Sequence, residues 1–325
     1  MKQQYNTIDI LKFFASIGVV AIHVAPISEE HKILCGGISF LISFCVPLFF
    51  IMSSFLFFRN ITPPDSQCCL PNVKTPEEKL YHFVQRISIL YFVWMGIQIV
   101  LTPVRCADWF NWNFPLKVIF GTTFGGSWFY AALVISVSIA FFFRKKHKAL
   151  FTISIISYLI FVLGKCGIPL FCNIYDWYGE NLTSMFLSWP YALLWVFTGF
   201  CLSSQHGLKE TVGISLLLAL ILVPLNLIYG NCISWVLRYV CVTAIAILCC
   251  RYNCSLNLPY KWLRKTSTLV FMIHFYFVYL LPEQGFLFGF ISVKFLEVLS
   301  LSILMSSVII EMAKTNKMKF LKYLY

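Results

Sequence analysis

Ten apolar segments, each about as long as a membrane span, constrain this chain more than any other feature of its sequence. A helix that crosses the hydrocarbon core of a bilayer needs about 20 predominantly apolar residues. Hydrophobic residues make up 59% of the chain and charged residues only 12%, with a mean hydropathy of +0.80, which excludes an ordinary soluble domain. The predicted helices cover residues 8–27, 33–58, 82–103, 127–143, 149–165, 186–203, 209–229, 232–250, 266–284 and 291–312. We therefore predict an all-α, polytopic transmembrane helix bundle of about ten helices. We expect it to form a single integral-membrane domain over residues 1–325, with no appended soluble domain.

The basic residues divide unevenly between the two sides of the membrane that these helices define. With the N-terminus in the cytoplasm, nineteen of the 25 lysines and arginines fall on the cytoplasmic side, including the cluster at 144–148. Because cytoplasmic loops carry an excess of Lys and Arg, this division predicts that both termini are cytoplasmic. The net charge of +12 then reflects topology and attraction to anionic membrane lipid, and it does not indicate nucleic-acid binding. We expect a multi-pass protein of the cell inner (plasma) membrane.

Three ionisable side chains, Asp9, Lys12 and His23, lie on the first predicted helix. A helix turns about 100° per residue and rises about 1.5 Å, so His23 lies within about 20° of the face of Lys12 and about 16 Å further along. Charged groups inside a membrane cost about 2.5–3.5 kcal/mol each unless they are paired or hydrated, so they usually mark functional sites. Asp9, one turn before Lys12, can supply part of this pairing. We therefore expect a functional site along this face of the helix.

Short motifs along the chain resemble the acyltransferase 3 family of integral membrane acyltransferases. Residues 8–12 (IDILK) and 19–23 (VVAIH) place a Lys and a His with ten residues between them, which is the family's hallmark spacing of a basic residue and His. The segment 46–53 (VPLFFIMS) on the second helix is similar to the family as well. Further matches follow in order at Arg86, at 128–133 (WFYAAL) and at 267–274 (STLVFMIH). The resemblance extends over nearly the whole chain and is most specific in the first sixty residues.

The resemblance implies an enzyme that moves an acyl group to a hydroxyl of a cell-surface polysaccharide or a lipid-linked sugar. The implied donor is cytosolic acyl-CoA, specifically acetyl-CoA, and no metal is expected. We assign His23 as general base or acyl carrier, with Asp9 and His274 as further catalytic candidates. Lys12 and Arg86 are the candidates for holding the donor. The acceptor, the acetylated position and the oligomeric state are left open.

Acyl transfer from a thioester to a hydroxyl needs a base for the hydroxyl proton, or a nucleophile that carries the acyl group. An imidazole shielded from bulk water can do either, because desolvation disfavours the imidazolium ion. The rise of about 16 Å from Lys12 to His23 is comparable to the length of an extended pantetheine arm. The spacing therefore allows Lys12 to hold the phosphates of the donor while the thioester reaches His23.

Each candidate has a purely structural alternative. Lys12 can extend its amine to the cytoplasmic interface, and Asp9 can cap the helix N-terminus. Arg86, which the prediction places at the start of the third helix, can be a topology charge, and His274 can be a packing residue. At the level of function, the alternative is a proton-coupled transporter or a flippase of a lipid-linked glycan, in which the two histidines relay protons.

The sequence also departs from the family pattern. Ser54 stands where the family usually has Gly, and Ile89 stands where a second arginine often follows the first. The chain ends thirteen residues after the last predicted helix, so it is expected to lack the extracytoplasmic hydrolase-like domain of some members. Cys166 and Cys172 share an outer loop, and their spacing alone does not decide whether they form a disulfide.

Overall fold

The computed structural model describes residues 5–61, 74–101, 114–120, 126–204 and 207–325. Over these ranges the chain forms thirteen α-helices, a two-stranded hairpin and two short 3-10 helices. The helices are α1 (Asn6–His23), α2 (Lys32–Ile42), α3 (Cys45–Arg59), α4 (Pro76–Leu101), α5 (Phe114–Phe120), α6 (Ser127–Phe142), α7 (His147–Lys165), α8 (Pro169–Asn181), α9 (Trp189–Leu202), α10 (Gly207–Tyr229), α11 (Ile233–Arg251), α12 (Tyr260–Leu280) and α13 (Val293–Met312). Strands β1 (Phe286–Leu287) and β2 (Ile291–Ser292) pair antiparallel. The 3-10 helices cover Met185–Leu187 and Lys319–Leu324.

Seven helical segments of the described chain are long and apolar enough to cross a membrane. They are Asn6–His23, Lys32–Arg59, Pro76–Leu101, His147–Lys165, Gly207–Tyr229, Ile233–Arg251 and Val293–Met312. The predicted all-α, multi-pass class is confirmed. Ten spans were predicted, and three of them, which correspond to α6, α9 and α12, are not among these seven. Helices α6 and α9 have only 16 and 14 residues, and the longer of them rises about 24 Å against a hydrocarbon core of about 30 Å. Helix α12 is long enough, but it carries three basic residues in its first two turns.

Prolines move two helix boundaries away from their predicted positions. Pro26 has no amide hydrogen for the carbonyl four residues earlier, so α1 ends at His23 and not at residue 27. Pro47 likewise cannot donate to the carbonyl of Ser43, and the predicted helix 33–58 is divided there into α2 and α3. His23 is therefore the last residue of its helix.

Helix α4 begins six residues earlier than predicted, at Pro76. The Thr75 amide donates to Glu78 Oε2 at 3.0 Å, and the Glu78 amide donates to Thr75 Oγ1 at 3.1 Å. These two bonds form a capping box, with proline at the first helical position, where its missing amide hydrogen costs nothing. Arg86 consequently lies ten residues inside α4 and does not open the helix as predicted.

The chain divides into two compact units. We call them the terminal unit, Met1–Phe49 with Ile245–Tyr325, and the central unit, Phe50–Ala244. In the terminal unit, α1 packs along α12, and α12 packs against α13. Buried valines fill the space between these three helices: Val20, Val24, Val270 and Val298.

The segment that follows α1 is tied to the β-hairpin of the same unit. The Ser28 amide donates to the Phe290 carbonyl at 3.0 Å, and the Ser292 amide donates to the Pro26 carbonyl at 2.9 Å. These bonds satisfy backbone groups just beyond the end of α1 and fix the direction in which the chain leaves His23.

The central unit is built around α9, in which every side chain from Tyr191 to Phe197 is fully buried. Helix α9 packs against α6, α7 and α10. A Cβ at Gly199 would lie only 2.4 Å from the Ile51 carbonyl oxygen, so glycine is required for this close approach. Ser54 Oγ donates to the Val196 carbonyl at 2.6 Å across the same contact. Gly199 on the facing helix thus provides a close backbone approach next to Ser54, which stands where the family usually has Gly.

Cys166 and Cys172 are both free thiols, so no disulfide joins them in this structure. Cys172 Sγ donates to the Gly164 carbonyl at 3.5 Å. Burial, together with a hydrogen bond to the Cys232 thiol, raises the pKa of Cys166 to about 12. A thiol with this pKa is almost entirely protonated at neutral pH and is a poor nucleophile.

Candidate functional site

Two histidines from distant parts of the sequence meet in the terminal unit. His23 is the last residue of α1, and His274 lies on α12. Their ring centroids are 5.3 Å apart and their planes are inclined by 36°. The Phe275 ring lies 4.5 Å from the His23 ring and 4.2 Å from the His274 ring. The structure therefore places both predicted histidines beside each other against one aromatic side chain.

The two histidines differ in accessibility and in hydrogen bonding. His23 is exposed, whereas His274 is fully buried. His274 Nδ1 lies 2.9 Å from the Val270 carbonyl, which can only accept a hydrogen bond, so Nδ1 is the donor. His274 Nε2 is buried and has no hydrogen-bond partner within the described part of the chain. In the neutral ring this nitrogen carries the free lone pair, so it can accept a hydrogen bond from a group bound next to His23.

Helices α1 and α12 run in the same direction, as two pairs of contacts along them show. Asp9 of α1 meets Arg264 of α12, and further along His23 meets His274. The contacts are separated by about 21 Å along α1 and about 15 Å along α12, and the long arginine side chain spans the difference.

Asp9 is held by a two-point ion pair. Arg264 Nε donates to Asp9 Oδ1 at 2.8 Å, and Arg264 Nη2 donates to Oδ2 at 2.6 Å. The Asp9 side chain is 4% exposed and that of Arg264 is 53% exposed. Since Asp9 lies about 21 Å from His23 along α1, the structure does not bring it to the histidine pair. Its predicted catalytic role is untested, and the observed contact is one that sets the register of α1 against α12.

The two predicted donor-binding residues belong to different units. Lys12 lies on α1, one turn after Asp9, and is half-buried. Because α1 is continuous from Asn6 to His23, Lys12 and His23 share one helix face, as predicted. Arg86 is exposed on α4 in the central unit.

Sequence reasoning missed Arg264 and Phe275. Arg264 has its partner Asp9 255 residues away, and no local pattern in the sequence links the two. Phe275 follows His274 directly, but the sequence alone gives no reason to distinguish it from the other 32 phenylalanines. Both residues become visible only when α1 and α12 are packed together.

Several apolar helices and a pair of imidazoles, one at the end of α1 and one on α12, define a multi-pass membrane protein with groups suited to proton transfer. The sequence matches the acyltransferase 3 family, described as an acyltransferase domain, over residues 5–311. The chain belongs to this family, which places it among the membrane acyltransferases.

A comparison with characterised proteins finds an amino-acid racemase of Enterococcus faecalis, with 26% identity over 174 residues. The alignment covers 50% of this chain and 22% of the racemase, so the chain matches only about a fifth of that protein's length. At this identity and coverage, the racemase activity is a property of that protein and is not transferred to this chain. No solved structure matches the chain.

Proposed function

We propose that this protein transfers an acetyl group from cytosolic acetyl-CoA to a hydroxyl of a cell-surface polysaccharide or a lipid-linked sugar. The observation that carries the proposal is the exposed His23 ring beside the buried His274 ring, on helices of a chain that belongs to the acyltransferase 3 family. The accessible His23 imidazole can reach a substrate. The buried His274 ring has a nitrogen without a partner in the described chain, and this nitrogen can accept a hydrogen bond that orients the substrate.

In the proposed reaction, His23 removes the proton of the acceptor hydroxyl as its oxygen attacks the thioester carbonyl. The carbon–sulfur bond breaks, the ester bond forms, and the proton passes from His23 to the departing CoA thiolate. A two-step route, in which His23 first carries the acetyl group as an acyl-imidazole, has the same overall balance. In both routes His274 is a positioning residue, because it is fully buried and its ring lies beside that of His23.

The donor is proposed to enter from the cytoplasmic side, with its phosphates held by Lys12. Arg86 of the central unit remains a separate donor-binding candidate. Lys12 and His23 are on one face of α1, separated by about 16 Å, which fits an extended pantetheine arm. The ion pair between Asp9 and Arg264 next to Lys12 keeps this end of α1 fixed against α12. A fixed α1 holds both ends of the donor path in register.

The first experiment measures CoA thiol release from acetyl-CoA by the purified protein in lipid nanodiscs, where water takes the place of the sugar hydroxyl and acetate is the second product. His23→Gln should reduce release to the level of protein-free nanodiscs, while membrane abundance is unchanged. His31→Gln is the matched control, because His31 is an exposed histidine just beyond α1 and should retain activity. Near-normal turnover by His23→Gln would show that the assignment is wrong.

The same preparation separates the proposed enzyme from a proton-coupled transporter or flippase. A transporter would move a substrate or protons across proteoliposomes without consuming acetyl-CoA, whereas the enzyme consumes it. The acceptor is then identified by mass spectrometry of surface glycans from wild-type and deletion strains, searched for the loss of one acetyl increment. If no glycan loses an acetyl group, the proposed acceptor class has to be replaced.

A further inference from the structure

A second cluster of reactive side chains lies in the central unit, apart from the residues discussed so far. His147 is the first residue of α7, Cys201 lies in the last turn of α9, and Glu210 lies in the first turn of α10. One ligand atom from each residue lies within 4.8 Å of both others. His147 Nε2 and Glu210 Oε1 are 3.7 Å apart. Three helix ends thus direct a nitrogen, a sulfur and an oxygen toward one point.

The backbone brings these residues together through a glycine. A Cβ at Gly207, the first residue of α10, would lie 2.0 Å from the Cys201 carbonyl oxygen. Only glycine therefore allows α10 to start against the end of α9 and to place Glu210 next to Cys201. On the other side, the His147 ring packs between Phe197 and Phe200 at centroid distances of 5.6 and 5.3 Å, which restricts its orientation.

One buried polar atom in the cluster remains unexplained by hydrogen bonding. Glu210 Oε2 is inaccessible and has no hydrogen-bond partner within the described part of the chain. Buried polar atoms in folded proteins usually have a partner, so this oxygen is available to a ligand that the described side chains do not supply. Cys201, which is fully buried next to it, is also a ligand type that metals favour.

We propose that His147, Cys201 and Glu210 bind a zinc-type divalent transition metal ion. Imidazole nitrogen, thiolate sulfur and carboxylate oxygen are the three protein donors that zinc accepts, with bonds of about 2.0–2.3 Å. Ligand atoms around such a tetrahedral ion lie roughly 3.4–3.6 Å apart, so the observed spacing needs only small side-chain rotations. A thiolate and a carboxylate together also neutralise the two charges of the ion. Water fills the fourth position.

This site departs from the expectation that the protein holds no metal, and it is independent of the proposed acetyl transfer. It joins the ends of α7, α9 and α10 on the side of the membrane that the basic cluster at 144–148 predicts to be cytoplasmic. The cytosol keeps thiols reduced, so Cys201 is available there as a metal ligand. The ion would hold the ends of the three helices together. Because it would bind the folded protein and not the unfolded chain, it would raise the free energy of unfolding.

The test uses the full chain, purified in detergent without a polyhistidine tag and without chelators. Elemental analysis should find about one zinc ion per chain in the wild type and a small fraction of that in Cys201→Ser, His147→Gln and Glu210→Gln. The matched control is Cys241→Ser, because Cys241 is a half-buried thiol of α11 outside the cluster, and it should keep the wild-type zinc content.

Cobalt titration of the chelator-stripped protein gives a second readout, and its wild-type measurement needs no variant. A thiolate bound to cobalt produces a charge-transfer band in the near ultraviolet, which Cys201→Ser should lack. Glu210→Gln should keep the band but bind at least 10-fold more weakly, because it loses an anionic ligand. The absence of this band in the wild type, or an equal band in Cys201→Ser, would overturn the proposal.

Discussion

The ion pair between Asp9 and Arg264 provides the sharpest test of how α1 is held against α12. The two side chains are unequally buried, with 4% of the Asp9 side chain and 53% of the Arg264 side chain exposed. Removing one partner leaves the other without its counter-charge, and the cost depends on how far that remaining charge is from water. We therefore expect the two single substitutions to have different effects, although they break the same contact.

Arg264→Met leaves the Asp9 carboxylate buried and unpaired, which costs about 3–5 kcal/mol in comparable cases. Asp9→Ala leaves Arg264 with half of its surface accessible, so the loss of two charge-assisted hydrogen bonds is largely compensated and should cost about 1 kcal/mol. The double substitution removes both charges and should be more stable than Arg264→Met alone, because no buried charge remains. The expected order of stability is wild type, Asp9→Ala, the double variant and then Arg264→Met, with the middle two close together.

The assay is thermal unfolding of the purified variants in one detergent, followed by tryptophan fluorescence, with turnover of acetyl-CoA measured in parallel. Arg264→Met should have the lowest unfolding midpoint. It should also lose turnover, because α1 carries His23 and loses its register against α12. Equal midpoints for the two single variants, or a double variant whose loss equals the sum of the single losses, would refute this account of the pair.

Three further predictions follow from the donor path, the central unit and the topology. Lys12→Ala should raise the apparent KM for acetyl-CoA, whereas Lys12→Arg keeps the charge and most of the activity; a change in acceptor preference alone would contradict this. Gly199→Ala should destabilise the protein by about 1–3 kcal/mol, because its Cβ would lie 2.4 Å from the Ile51 carbonyl oxygen. Gly213→Ala, where a Cβ meets nothing within 4 Å, is the control and should be neutral or stabilising in the same unfolding measurement. Cysteines introduced at 144–148 should be labelled only by membrane-permeant reagents, and labelling from outside intact cells would reverse the topology.

The helical class of this protein could be predicted because a bilayer imposes its requirement on each segment separately. Every backbone group in the membrane must find its partner within the helix, so a run of apolar residues is sufficient to indicate a span. The errors in the predicted helix boundaries also arise from local features of the sequence. The capping box at Thr75 and the prolines at 26 and 47 set the ends of α4, α1 and α2, and hydropathy alone does not register their effects.

The candidate site was predicted in part. The spacing of Lys12 and His23 follows from the geometry of one helix, and the continuous α1 places them on one face. His274 was selected through the family resemblance, but its contact with His23 depends on the packing of two helices. Arg264 was not selected at all, although it is the residue that Asp9 contacts.

The sequence by itself determined which segments are helical and apolar, how basic residues are distributed between the ends of those segments, and which ionisable groups lie on one face of α1. These properties depend on residues within a few turns of each other, so they can be derived from helix periodicity and solvation alone. Only the tertiary structure decided that His23 meets His274, that Asp9 pairs with Arg264, and that His147, Cys201 and Glu210 converge. Each of these contacts joins residues from different helices. Which helix packs against which depends on the fit of side chains in three dimensions, and no local pattern in the chain encodes that fit.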